Sequence, residues 1–173
     1  PKAGGPHYLE AMQKRRAPQG AAAIDVLSDA PAPLFDQQMR KSQAAFLKWH
    51  EASDRRDILT RAAAITSDGE AEIFRVAASL LAEHFTNAVD LPGPTGESNS
   101  LRLKGRGVVV CLGGGAPAAN RRQIALALAA GDAVICPATL ADKIAPALDR
   151  AGAPSDLVLS GPSDASVHEA YLL

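Results

Sequence analysis

The residues best suited to chemistry lie in one stretch of the last third of the chain. Gly113-Gly114-Gly115 follows the apolar run Val108-Val109-Val110-Cys111-Leu112 and precedes a helix-like segment opening at Pro117. Gly113-x-Gly115-x-x-Ala118 fits the loose dinucleotide fingerprint. In that motif glycines let the backbone approach a pyrophosphate, and the helix N-terminus supplies N–H groups and partial positive charge. Arg121, with Arg122 beside it, would add attraction for phosphate. Gly113, Gly115 and Arg121 are therefore the candidate cofactor-binding residues. The rest of such a site is missing. The fingerprint asks for an acidic residue about 20 positions on, at the end of the second strand, to hold the ribose. Cys136-Pro137 stands there, and Asp132 precedes that strand, at its far end. Cys111 has no histidine near it to act as a base. The reading is a structural turn that packs a helix tightly on a strand, with nucleotide binding as the alternative. No catalytic residue is expected in this stretch.

The two cysteines, Cys111 and Cys136, each sit inside an apolar strand-like run. They read as reduced, buried small hydrophobes, with a disulfide or a reactive thiol as the alternative. His7, His50, His84 and His168 are scattered and share no metal-ligand spacing with the cysteines. No metal site is expected.

The elements that must position these residues are legible from periodicity. A continuous apolar strand over 107–112, a helix from about Pro117 to Ala130 stopped by Gly131, and a strand Ala133–Cys136 come first. A helix Ala141–Ala151 stopped by Gly152 and a strand Asp156–Leu159 follow, and another helix opens at Ser163. Strands alternating with helices of this length imply parallel pairing with right-handed crossovers. The run at 107–112 suits a strand buried on both faces. Upstream, three amphipathic helices are expected. The first is capped by Asp36 and carries Met39, Phe46 and Trp49 on its apolar face. The second starts near Ser53, its candidate N-cap, with Ile58, Leu59, Ala62 and Ile65. The third follows Ser67-Asp68-Gly69 with Ile73, Val76, Ala77, Leu80, Leu81 and Ala82. Between helices and strands, Leu91-Pro92-Gly93-Pro94-Thr95-Gly96-Glu97-Ser98-Asn99 is turn chemistry, and Leu101-Arg102-Leu103 alternates like an exposed strand. Pro18, Pro31 and Pro33 rule out a continuous helix over 17–34, which reads as a linker.

The fold class is therefore α/β: amphipathic helices and a short hairpin leading into a Rossmann-like parallel βαβαβ unit. The expected division is an end piece at 1–16, an Ala/Pro-rich linker at 17–35 and a domain at 36–173. Within that domain, 36–90 is helical, 91–106 is turn and hairpin, and 107–173 is Rossmann-like. The chain has 173 residues with 18 basic and 19 acidic, so its formal charge of -1 leaves no basic stripe for nucleic acid. Aromatics are only 4%, so the core rests on Ala, Leu, Ile and Val. No apolar run approaches the ~20 residues of a membrane span, and no signal peptide is seen. A start at Pro1 and a helix-like end at Leu173 suggest a piece of something longer.

The helical residues fall in the order used at the start of aldehyde dehydrogenases: Ala45-Phe46, Trp49, Arg55, Ile58-Leu59, Ala62-Ala63, Glu72-Ile73 and Leu81-Ala82-Glu83. Arg106-Gly107-Val108 through Gly161 resembles the first nucleotide-binding strands of that superfamily, with Ala-Leu-Ala-Ala-Gly-Asp over 127–132 and Ala-Gly-Ala-Pro over 151–154. Working members carry a Pro-Trp-Asn type turn where Gly113-Gly114-Gly115 stands, and a ribose-touching Lys where Cys136 stands. Two longer strings narrow the resemblance. Pro1-Lys2-Ala3-Gly4-Gly5-Pro6-His7-Tyr8-Leu9 is similar to the end of the glutamate semialdehyde dehydrogenase domain of the proline utilization A family. Leu91 to Asn99 is similar to a segment of the domain that follows it. The resemblance implies a bifunctional parent that oxidises proline to glutamate through pyrroline-5-carboxylate, using FAD in a barrel domain and NAD in a dehydrogenase domain. It implies that 1–16 ends the catalytic dehydrogenase domain, whose Cys and Glu lie upstream, and that 36–173 belongs to a non-catalytic aldehyde-dehydrogenase-like domain. That domain would pack on the upstream catalytic domains of the same polypeptide and cover the substrate channel. No cofactor is expected in the segment itself, and a cytoplasmic homo-oligomer is expected of the parent.

Overall fold

Five helices and five strands account for the regular structure of the described residues, 32–111 and 117–161, in a computed structural model. The expected end piece at 1–16, nearly all of the linker, the glycine turn and the helix from Ser163 lie outside those residues.

Helix α1 spans Ala32–Glu51, α2 Arg55–Ala64 and α3 Asp68–Leu80, with a π-helical turn Leu81–Phe85 continuing α3. A hairpin of β1 (Val89–Leu91) and β2 (Asn99–Leu101) follows. The last part runs β3 (Val108–Val110), α4 (Pro117–Ala130), β4 (Ala133–Pro137), α5 (Ala138–Ala151) and β5 (Val158–Gly161). β1 and β2 are antiparallel, while β3, β4 and β5 form a parallel sheet in that order. The parallel α/β unit is the one its periodicity predicts.

The strand β4 is the centre of the core. Ala133, Val134, Ile135 and Cys136 have no exposed surface although successive side chains point to opposite faces, so both faces of β4 are covered. Helix α1 touches all three strands of the parallel sheet, while α5 packs on β4 and β5 and α4 on β4. α2 and α3 pair with each other, and they rest on α5 and α4 respectively. Burial of Val134 and Ile135 alone contributes roughly 1.5–3 kcal/mol each.

Four sequence expectations need correction. α1 begins at Ala32, not at a cap on Asp36; Pro33 falls in its first turn, where a missing N–H costs nothing and the fixed φ suits the helix. α2 has Asp54 rather than Ser53 at its N-cap. β3 is half-buried rather than covered on both faces, because among the described residues it pairs on one edge only, with β4. Asp156 does not open β5. It takes a left-handed φ of 63° in the turn before it, a conformation that short polar side chains tolerate.

The predicted helix stops hold. Gly131 and Gly152 adopt φ of 94° and 96°. Asp132 N–H donates to Ala127 O at 2.9 Å and Ala153 N–H to Leu148 O at 2.9 Å, the long return bonds of a glycine-closed helix end. The hairpin differs from the rest of the fold in being exposed along both strands. Among the described residues no helix is long and apolar enough to cross a membrane.

One residue sits in α5 against its propensity. Pro146 is exposed in the helix interior, where it denies a bond to the carbonyl four residues back. Pro146→Ala is expected to raise stability by about 2 kcal/mol, the ~3 kcal/mol interior cost of proline less the loss of its stiffening of the unfolded chain. Urea denaturation of the two proteins reads this directly; a lower midpoint for the variant would contradict it.

Candidate functional site

In a parallel α/β sheet, ligands bind beyond the carboxyl ends of the strands. Here that end is formed by Cys111, the start of α4, Pro137 and the start of α5. Cys111 continues the β3 pairing, its N–H donating to Ile135 O at 2.8 Å. Both thiols are free and buried. Burial pushes Cys111 up to about 12, helped by Cys136 and Asp132, and burial likewise pushes Cys136 up to about 12, helped by Asp142. Neither supplies a thiolate near neutral pH, and the expectation of reduced, buried small hydrophobes stands. Cys136 is followed by Pro137, so the residue expected to touch a ribose is neither charged nor exposed.

Gly113 and Gly115 lie outside the described residues. Arg121 is described, and its guanidinium is turned to a carboxylate: Nη2 lies 3.6 Å from Glu70 Oε1. Lys143 of α5 donates to the same oxygen at 3.2 Å, and Ser67 Oγ donates to Glu70 Oε2 at 2.9 Å. Glu70 is thus a buried junction between α3, α4 and α5. Its carboxyl is held below the usual range, first by the Ser67 hydroxyl, then by the Lys143 hydrogen bond and the charges of Lys143 and Arg121, with burial opposing. Sequence reading missed this residue, although Ser67-x-x-Glu70 is the spacing of a capping box and marks a helix start. Next to Arg121, Asn120 is buried with its Oδ1 unpartnered, as is Arg121 Nε.

The opposite end of the sheet is polar in a different way. Asp132, buried at the start of β4, accepts the backbone N–H of Arg106 and that of Gly107, the latter at 2.8 Å. It lies at the other end of β4 from Pro137, and it fixes the approach of the chain to β3. His50 lies at this end of the molecule, beside Phe46 at a ring separation of 5.2 Å, and His84 is on the π-helical turn next to Glu83. Among the described residues no three His, Cys, Asp or Glu side chains converge as a metal site.

Solved structures share this arrangement of helices and parallel sheet. The chain is similar to a salicylaldehyde dehydrogenase from Pseudomonas putida in complex with salicylaldehyde, with 22% identity and a TM-score of 0.59 over 82% of this chain and 36% of that one. More particularly, it is similar to proline utilization A with proline bound in remote sites, with 24% identity and a TM-score of 0.64 over 83% of this chain. It also resembles a variant of Bradyrhizobium japonicum proline utilization A, with 24% identity and a TM-score of 0.63 over 83% of this chain. The chain spans 18% of the length of each of these two proline utilization A structures. No family model and no curated protein sequence matches it. At these identities the likeness defines the fold, which is aldehyde-dehydrogenase-like.

Two measurements check the site. Native protein at pH 8 is expected to leave Cys111 and Cys136 unalkylated by iodoacetamide, with both modified after unfolding; rapid labelling of the native state would contradict the burial described. Glu70→Gln is expected to cost about 1–2 kcal/mol at pH 7, as a charge-assisted bond is lost. The folded carboxyl titrates below its ordinary value of 4.5. The native state therefore gains from ionised Glu70 above that pH and loses the gain as pH falls through the lower folded value. The stability gap between wild type and variant should close below pH 4.5; a gap that persists there would place its origin in packing.

Proposed function

We propose that the chain is the C-terminal part of a bifunctional proline-oxidising flavoenzyme, and that this segment is non-catalytic. It packs on the upstream catalytic domains of the same polypeptide and covers the channel through which the intermediate passes. The parent carries FAD and NAD in those upstream domains and works in the cytoplasm as a homo-oligomer. Residues 1–16 end the semialdehyde dehydrogenase domain, 17–35 form the linker, and the helical, hairpin and Rossmann-like parts of 36–173 belong to the covering domain.

The observation that carries a packing role is the hairpin. Val89, Leu91, Leu101 and Leu103 are 56%, 44%, 47% and 45% exposed. Val89 pairs with Leu101, and alternation puts Leu91 on the same side. A two-stranded hairpin with one apolar face is marginal in water alone and gains stability by burying that face. The site end of the sheet supports the absence of catalysis: two un-ionised thiols, a proline, and an arginine and a lysine occupied by Glu70.

A second reading is a nucleotide-binding regulatory module using Gly113, Gly115 and Arg121. The unpartnered Asn120 Oδ1 and Arg121 Nε at the start of α4 favour it. One titration separates the two. Calorimetry of the 173-residue chain with NAD⁺ and with NADH is expected to show no binding; low-micromolar binding that Gly115→Val abolishes without unfolding would establish the regulatory module instead. In the intact parent, removal of the segment is expected to reduce coupled conversion of proline to glutamate more than either half-reaction assayed alone. Equal loss in all three assays would overturn the covering role.

A further inference from the structure

A cavity lies beside the carboxyl end of α4, and we propose that it binds a small organic anion, a phosphate or carboxylate head on an apolar body. Its volume is about 640 Å³, within the range of small-ligand pockets. One wall is the start of α2, the other the extended segment 102–104 that leaves the hairpin. The floor is apolar, with Leu81, Ala82 and Phe85 of the π-helical turn and Leu103.

The polar lining is cationic. Arg55, Arg56, Arg102 and Lys104 face only two carboxylates, Asp54 and Asp57. Arg55 is partly occupied, its Nη1 lying 3.5 Å from Ala129 O. Arg56, Arg102 and Lys104 are exposed and have no ion-pair partner among the described residues. Other exposed cations such as Lys41, Lys48 and Arg122 also lack a carboxylate partner among the described residues; Arg56, Arg102 and Lys104 differ in lining one cavity together. The wall also holds an orphan: His50 Nδ1 is shielded from solvent and makes no hydrogen bond. Asp54, at the N-cap of α2, makes no side-chain cap bond to the amides that open that helix. Guanidinium forks suit planar or tetrahedral oxyanions, and the apolar floor suits a hydrocarbon or aromatic body behind the head.

The proposal is independent of the glycine turn and of any catalytic role. Its test uses the full 173-residue chain and calorimetry with four probes: phenyl phosphate, benzoate, inorganic phosphate and phenol. Saturable binding is expected for phenyl phosphate or benzoate, at least about tenfold tighter than for inorganic phosphate or phenol, and weakened by added salt. The stronger of the first two identifies the head group. R102A/K104A, which alters only exposed side chains, is expected to weaken that binding about tenfold with an unchanged melting temperature, and R56A to weaken it independently. Absence of saturable binding by both headed probes at millimolar concentration would overturn the proposal. So would binding that R102A/K104A and R56A leave unchanged.

Discussion

The carbonyls at the ends of α4 and α5 set the arrangement of everything around them. An α-helix ends with four carbonyls that have no partner of its own, and a buried carbonyl left unpaired costs as much as a lost hydrogen bond. In α4, Ala127 O accepts from Asp132 N–H, and Leu128 O accepts from both Gly131 N–H and Trp49 Nε1 at 3.1 Å. Ala129 O faces Arg55 Nη1. In α5, Ala151 O accepts from Arg61 Nε at 3.1 Å and Nη2 at 2.9 Å. Helix α2 thus presents one arginine to the end of each crossover helix, and α1 presents its indole to the first. A cation at a helix C-terminus also meets the negative end of the dipole. Each bond is worth about 1 kcal/mol net, but removing a donor would strand a carbonyl at a greater cost.

Closeness at this junction explains residues that carry no chemistry. Gly131 must be left-handed for α4 to turn into β4, and a Cβ there would sit 2.4 Å from Arg55 Nη1 and 3.2 Å from His50 Nδ1. A Cβ on Gly105 would meet Asp132 Oδ1 at 2.7 Å and Ala130 O at 2.9 Å. The carboxylate of Asp132 needs that space to reach the amides of Arg106 and Gly107. Desolvation lowers the pKa of the half-buried Arg55 and the nearby Asp132 charge opposes it, so the guanidinium and the carboxylate support each other across the turn. The polar residues of this end therefore hold the frame together, and they do so without involving the end of the sheet where a nucleotide would sit.

Elements defined by local rules were legible in the sequence. The helix from Pro117 to Ala130, its stop at Gly131, the strand from Ala133 and the stop at Gly152 each follow from a proline at a helix start, a glycine after one, or a continuous apolar run. What escaped depends on partners distant in the chain. Trp49 reads as core from its spacing, but its bond to a carbonyl 79 residues away does not. Glu70 looks like a surface residue of a helix start until Lys143 and Arg121 converge on it. The run over 107–112 looks doubly covered because composition cannot say how many neighbours a strand has. Asp36 has the chemistry of a cap, yet the helix starts a turn earlier because Pro33 suits a first turn as well as it suits a linker. The candidate site was legible mainly through what is missing from it: Cys136 where a charge would be needed.

The hairpin follows from the same accounting of unsatisfied groups, applied to apolar surface. In the parallel unit β4 is fully covered, so the unit has little need of a partner for its core. Val89, Leu91 and Leu101 are different: they share one side of a two-stranded ribbon and are each close to half exposed. Tight folding back onto the parallel unit would have buried them, but the proline- and glycine-rich connection Leu91-Pro92-Gly93-Pro94-Thr95-Gly96, turned through Gly96 at φ 91° and the Glu97 N–H to Pro94 O bond at 3.1 Å, closes the ribbon on itself instead. Arg102 and Lys104 flank Leu103 in the segment that leaves it. Charges beside an exposed apolar strand discourage indiscriminate edge pairing while leaving the apolar side available to a surface of matching shape. A ribbon built in this way is costly to keep exposed and stable when covered.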